Sequence, residues 1–198
     1  MSSTDNAANA DAMALTADLA CFDVTTSAKG QKTAAVHRNG IFAFWTFTSP
    51  ATPLFNPSCY GVGDTSGKQS LCLRPEADVL EQAEALDQWA VNFCTLNSER
   101  LFGKILNESQ VRDRYSPIVR KSDRYPPFVK VKISTDKAAP KYWDVNKEAR
   151  SAPENWTQCQ MLCRSRIVGF WFMANSFGLS VQVADAQIMQ ETALECPF

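Results

Sequence analysis

The feature that most constrains this chain is a pair of long strand-like runs near its C-terminus. They are Leu162 to Met173 and Leu179 to Met189, joined by Ala174-Asn175-Ser176-Phe177-Gly178. Asn, Ser and Gly between two apolar-rich runs supply the backbone conformations of a tight hairpin. Two strands alone are at best marginally stable in water, so the apolar face must be covered by more strands or a helix. Period-2 alternation splits the first run into two faces. Cys163, Ser165, Ile167, Gly169, Trp171 and Met173 form an apolar face expected to meet the core. Arg164, Arg166, Val168, Phe170 and Phe172 form the other.

The rest of the chain offers partners for that hairpin. A strand is expected from Thr33 to His37, then a turn at Asn39-Gly40 and a strand from Ile41 to Phe47. Pro50, Pro53 and Pro57 impose an extended loop, and Ser70 to Leu73 reads as a short strand. Pro75 opens a helix in which Val79, Ala83, Leu86, Ala90 and Phe93 recur at helical spacing, ending near Asn97. Asn107 with Gln110 reads as a capping box opening a second, short helix. Phe128 to Ile133 alternates as a strand, and 135–158 reads as a loop.

Strands, a helical middle and strands again define a β-rich α+β domain, or a barrel with a helical insert. With 198 residues, 45% of them hydrophobic, one domain with a real core is expected. The expected division is an acidic leader over 1–25, a domain over 26–190 and a short tail over 191–198. The leader lacks the basic start and apolar block of a secretion signal, and no apolar run reaches the length of a membrane span. An intracellular protein is therefore expected. Seven cysteines read as free thiols, mostly buried, and the sequons at Asn107 and Asn155 as chance matches.

Catalytic chemistry finds little support. His37 is the single histidine, no Gly-x-Ser-x-Gly or phosphate-cradling Gly-Lys-Ser/Thr pattern occurs, and Cys159 with Cys163 lacks the paired spacing of a zinc site. The chain is read as a non-enzyme with no cofactor or metal. The net charge of −1 hides an uneven distribution. Residues 104–150 carry 12 basic and 6 acidic side chains, against 6 and 11 in residues 1–103 and 2 and 4 in residues 151–198. A basic middle between acidic ends is the footprint of a polyanion site. A solvated surface is the plainer alternative.

Basic groups interleaved with aromatics suit single-stranded nucleic acid: cations neutralise phosphates and rings stack on bases. Lys130 and Lys132 share a strand face with Phe128, and Arg164 and Arg166 share one with Phe170 and Phe172. The same aromatic run, Phe170-Trp171-Phe172, also fits a strand buried on both faces or a subunit interface.

The segment Gln160 to Met189 resembles the closing hairpin of a family from large DNA viruses of algae and protists, itself distantly similar to the T7-type phage single-stranded-DNA-binding protein. Leu86-Asp87, Asn97-Ser98, Phe102-Gly103-Lys104, Tyr115 with Pro117, and Tyr125-Pro126-Pro127 before Phe128 fall in the order that resemblance implies over residues 33–190. It implies an OB-like antiparallel β-barrel with a helix between strands, coating single-stranded DNA in viral-type replication or recombination. Expected phosphate contacts are Lys130, Lys132, Arg164 and Arg166, with Arg120, Lys121 and Arg124 outside them. Expected stacking surfaces are Tyr125, Phe128, Phe170 and Phe172; Trp45 and Trp171 stand between surface and core. RNA, replication proteins and self-association are the further partners considered. The alternative function is a virion or complex-assembly protein anchored through the aromatic hairpin.

Overall fold

The computed structural model describes residues 14–28, 30–59, 67–123 and 126–191. In chain order it contains β1 (Leu19–Cys21), β2 (Thr25–Thr26), β3 (Lys32–Arg38), β4 (Ile41–Thr46), β5 (Thr52–Pro53) and β6 (Lys68–Arg74). The helices α1 (Ala77–Leu96), α2 (Ser98–Phe102) and α3 (Glu108–Arg112) follow. Then come β7 (Val119–Arg120), β8 (Phe128–Ser134), β9 (Lys141–Trp143), β10 (Ala149–Arg150), β11 (Cys159–Phe172) and β12 (Phe177–Glu191).

The main sheet path is β1-β3-β4-β11-β12-β8-β6-β5. The expected hairpin is its spine: β11 pairs with β12, while its first half also pairs with β4 and its last residues with β3. The expected α+β class holds, with α1 to α3 inserted between β6 and β8. The closed antiparallel barrel does not. The path is open, and β12 meets β8 and β9 in parallel. Among the described residues the nearest approach to closure is one bridge, Ala51 to Met161, where the chain entering β5 meets the start of β11.

Helix α1 forms where the apolar spacing places it, burying Val79, Ala83, Leu86 and Ala90 against the inner face of the sheet. Trp45, Leu71, Leu73, Val129, Val131, Ile167 and Val183 fill the space between them. Asp87 fastens the helix to β7. Its carboxylate accepts hydrogen bonds from Tyr115 Oη at 2.6 Å, Ile118 N at 2.9 Å and Val119 N at 3.0 Å. Burial pushes the Asp87 carboxyl above its ordinary range, and these three donors oppose that rise. The Asn107–Gln110 capping box opens α3 as expected.

Two expectations are corrected. From residue 14 the leader joins the fold: Leu15, Leu19 and Cys21 are buried, and β1 pairs with β3. The segment 135–158 is not plain loop, since β9 and β10 pair with each other and β9 with β12. Tyr142 and Trp156, which make an edge-to-face contact there, are the apolar groups that hold it down.

Candidate nucleic-acid interface

Directly paired residues in a sheet project to the same side. Register therefore defines a row across the outer face: Phe44 on β4, Arg166 on β11, Gln182 on β12, Lys132 on β8 and Ser70 on β6. Arg166 and Lys132 are separated by one strand, hence about 10 Å between their Cα atoms. Lys132 Nζ donates to Ser70 Oγ at 3.3 Å.

Strand β4 supplies rings that the sequence reading did not assign. Alternation puts Ala43 and Trp45 inside and leaves Phe42 and Phe44 outside. The Arg166 guanidinium lies 3.3 Å from the Phe42 ring centroid, and that of Arg164 lies 3.8 Å from the centroid of Phe44. A ring beneath a guanidinium fixes its plane while leaving its charge in place. Burial lowers the Arg166 pKa, yet the group stays charged at neutral pH. Its Nε has no hydrogen-bond partner among the described residues. Arg164 instead donates to Asp185 Oδ2 at 3.0 Å.

Phe128, Lys130 and Lys132 alternate with buried Val129, Val131 and Ile133, as expected. Arg120 on β7 pairs with Phe128, and Lys130 pairs with Cys72. Burial raises the Cys72 thiol pKa, and the nearby Lys130 and Arg120 charges pull it back in part. Lys121 turns away from the sheet to Glu84 on α1, at 3.0 Å. Arg124 and Tyr125 lie outside the described residues.

The common face expected for Arg164, Arg166, Phe170 and Phe172 is corrected. Ile167 pairs with Val181 and Gly169 with Ser180, so Val168 is an extra residue on β11. One extra residue reverses the alternation beyond it. Phe170 is consequently 1% exposed and stacks on Trp89 and Phe93 of α1. Phe172 packs on Phe102 and Phe177. Trp171 and Met173, expected inside, are outside instead, with Met173 71% exposed. Trp45 is core and donates from Nε1 to Gln82 Oε1 at 2.8 Å.

Beyond the bulge the outer face deepens into a groove of about 400 Å³. Trp171, Phe22, Val168 and Gly169 line it with Lys32, Lys68 and Arg166. Lys68 was not singled out from the sequence. The signal for it was the alternation of β6, which leaves Lys68 and Ser70 opposite buried Leu71 and Leu73. Among the described residues, no group of three or more His, Cys, Asp or Glu side chains is placed to hold a metal ion. No helix among them is long and apolar enough to cross a membrane.

This open β-sheet with helices inserted between β6 and β8 is the OB-type fold of phage single-stranded-DNA-binding proteins. The similarity extends to the single-stranded-DNA-binding protein encoded by bacteriophage T7, with 11% identity, a TM-score of 0.51, and coverage of 78% of this chain and 90% of that one. It extends also to the single-stranded-DNA-binding protein of bacteriophage Enc34, solved in complex with single-stranded DNA. There the identity is 12%, the TM-score 0.50, and the coverage 87% of this chain and 97% of that one. No protein-family model and no curated protein matches the sequence.

Proposed function

We propose that this chain binds single-stranded DNA without sequence specificity, as a non-catalytic coating protein in viral-type replication or recombination. The observation that carries the reading is the outer-face row: Arg164 and Arg166 stacked on Phe44 and Phe42, with Lys132 one strand away. Stacked guanidiniums offer cations to phosphates with little rotamer freedom left to lose. Phe42, 49% exposed, adds apolar ring surface for bases. Lys130, Arg120 and Phe128 extend the same face along β8 and β7. The fold shared with phage proteins supports this reading, and so does the sequence resemblance to the family from large DNA viruses. Single-stranded DNA exposed in the cytoplasm or nucleus of a host is the natural target, and the reading needs no cofactor.

The test is fluorescence anisotropy of labelled oligo-dT at two salt concentrations. Binding is expected at micromolar protein and about 50 mM salt, weakening steeply as salt rises. Arg166→Ala with Lys132→Ala should lower the salt slope by about 1.4, at roughly 0.7 per cation on a single strand. No binding of oligo-dT at the lower salt overturns the proposal, and a fixed stoichiometry in purified particles would favour a virion component instead.

A further inference from the structure

We infer that the groove beyond the β11 bulge is a nucleobase pocket: it receives one unstacked base of a bound single strand on the indole of Trp171. The inference rests on the single-stranded-DNA reading and assigns it a specific subsite.

Three observations converge. The first is size. A groove of about 400 Å³ lies at the small end of ligand-sized cavities, fitting a nucleotide rather than a helix or a strand. The second is how its flat wall is held. Trp171 pairs with Gly178, and a Cβ on Gly178 would come 2.8 Å from Trp171 Cζ2. The missing side chain lets the ring lie against β12 while the indole still lines the groove. On its other flank β11 closes on β3, where Gly169 admits the backbone of Ala34 and Ala35 as part of the lining. The third is charge. Lys32, Lys68 and Arg166 line the same groove as the ring, and Asp23, the acidic residue lining it, is held by Arg100 at 3.1 Å.

Arg166 belongs both to the stacked pair on β4 and to the groove wall. A strand bound along β11 thus passes from the Arg164–Phe44 pair over Arg166 and reaches the indole at Trp171. Stacking on an aromatic residue tolerates any base, so the pocket distinguishes a base from no base rather than one base from another.

The test compares oligo-dT of about 16 nucleotides with an oligomer of the same length made of abasic sugar-phosphate, for the wild-type protein, Trp171→Ala and Trp171→Phe. Wild type is expected to prefer oligo-dT. Trp171→Ala should narrow that preference about tenfold, from roughly 1–3 kcal/mol per stacked base, with the salt slope unchanged. Trp171→Phe should restore most of it. A preference for oligo-dT unchanged in Trp171→Ala overturns the pocket while leaving single-strand binding intact. Absence of oligo-dT binding by the wild type overturns both. Thermal midpoints within about 4 °C of one another, as a loss of about 1 kcal/mol allows, and titrations well below all three tie the readout to the pocket rather than to unfolding.

Discussion

The two parts of β11 belong to one continuous strand and have opposite phases. From Cys159 to Ile167 the odd-numbered side chains face the core and Arg164 and Arg166 face outward; from Gly169 to Phe172 the even-numbered ones are inside. Val168 is the whole difference. The first part presents charge on a flat outer face, whereas the second uses the reversal to send Phe170 into the core and Trp171 to the groove. A bulge at this point re-aims a side chain without ending the strand. The floor of one region and the wall of the other are therefore set by a single inserted residue.

The strongest way to break the contrast is at Gly169. Its φ of +147° disfavours any L side chain, and a Cβ would meet Ala34 O at 2.2 Å and Ala35 Cα at 2.8 Å. Both atoms are backbone, so neither can swing aside. Gly169→Ala is expected to cost about 4 kcal/mol or more, combining strain with overpacking. Urea denaturation and soluble yield measure it. A midpoint near that of the wild type would mean that β11 continues past Val168 without the tight approach to β3.

The next effect is at Phe170. Its ring is fully buried beside Trp89, Phe93 and Phe177, so Phe170→Ala should lose about 3–5 kcal/mol. Trp171→Ala, one residue on, should lose only about 1 kcal/mol because the indole is only partly buried. The binding effects should run the opposite way: per folded molecule, Phe170→Ala leaves oligo-dT affinity nearly intact and Trp171→Ala weakens it. Equal stability losses in the two variants would contradict the reversed phase.

These two residues also mark how far the sequence could be read. Alternation located β4, β8, β11 and β12 and placed Lys130, Lys132, Arg164 and Arg166 on outward faces, because β8 and the part of β11 up to Ile167 keep a period of two. It failed where the period slips. Nothing in Ile167-Val168-Gly169 signals a bulge except the glycine, which within a strand can equally mark a close approach of another backbone with no change of phase. Phe42 and Phe44 were legible by the same alternation, but their role depends on register. Only the pairing of Arg166 with Phe44 brings rings from β4 beneath cations of β11. The leader was read as separate because its composition is polar. Three side chains, Leu15, Leu19 and Cys21, suffice to join it to the core once β3 offers an edge. Open or closed was likewise undetermined: closure turns on whether the short segment at Ala51 to Pro53 pairs along β11 or only touches it at Met161.

The smallest effect lies at the other end of β11 and sharpens the comparison. Arg164 and Arg166 are both stacked on phenylalanines, yet among the described residues only Arg164 also holds a carboxylate, Asp185. The register explains why. Arg164 pairs with Asp185 and Ser165 with Val183, so Ala184 is an extra residue on β12 that brings Asp185 onto the outer face. A phosphate arriving at Arg164 must therefore compete with that carboxylate, while one arriving at Arg166 need not. The pair is partly exposed, so its strength is of the order of 0.2–1 kcal/mol. Asp185→Asn should then raise oligo-dT affinity by about two- to fivefold, steepen the salt dependence by about 0.7, and change stability by less than about 1 kcal/mol. Anisotropy titrations at two salt concentrations separate the outcomes. Higher affinity with a steeper slope assigns Arg164 to the bound strand. Unchanged affinity and slope would confine the DNA path to Arg166 and the groove beyond it, leaving the Arg164–Asp185 pair as a structural clasp between β11 and β12.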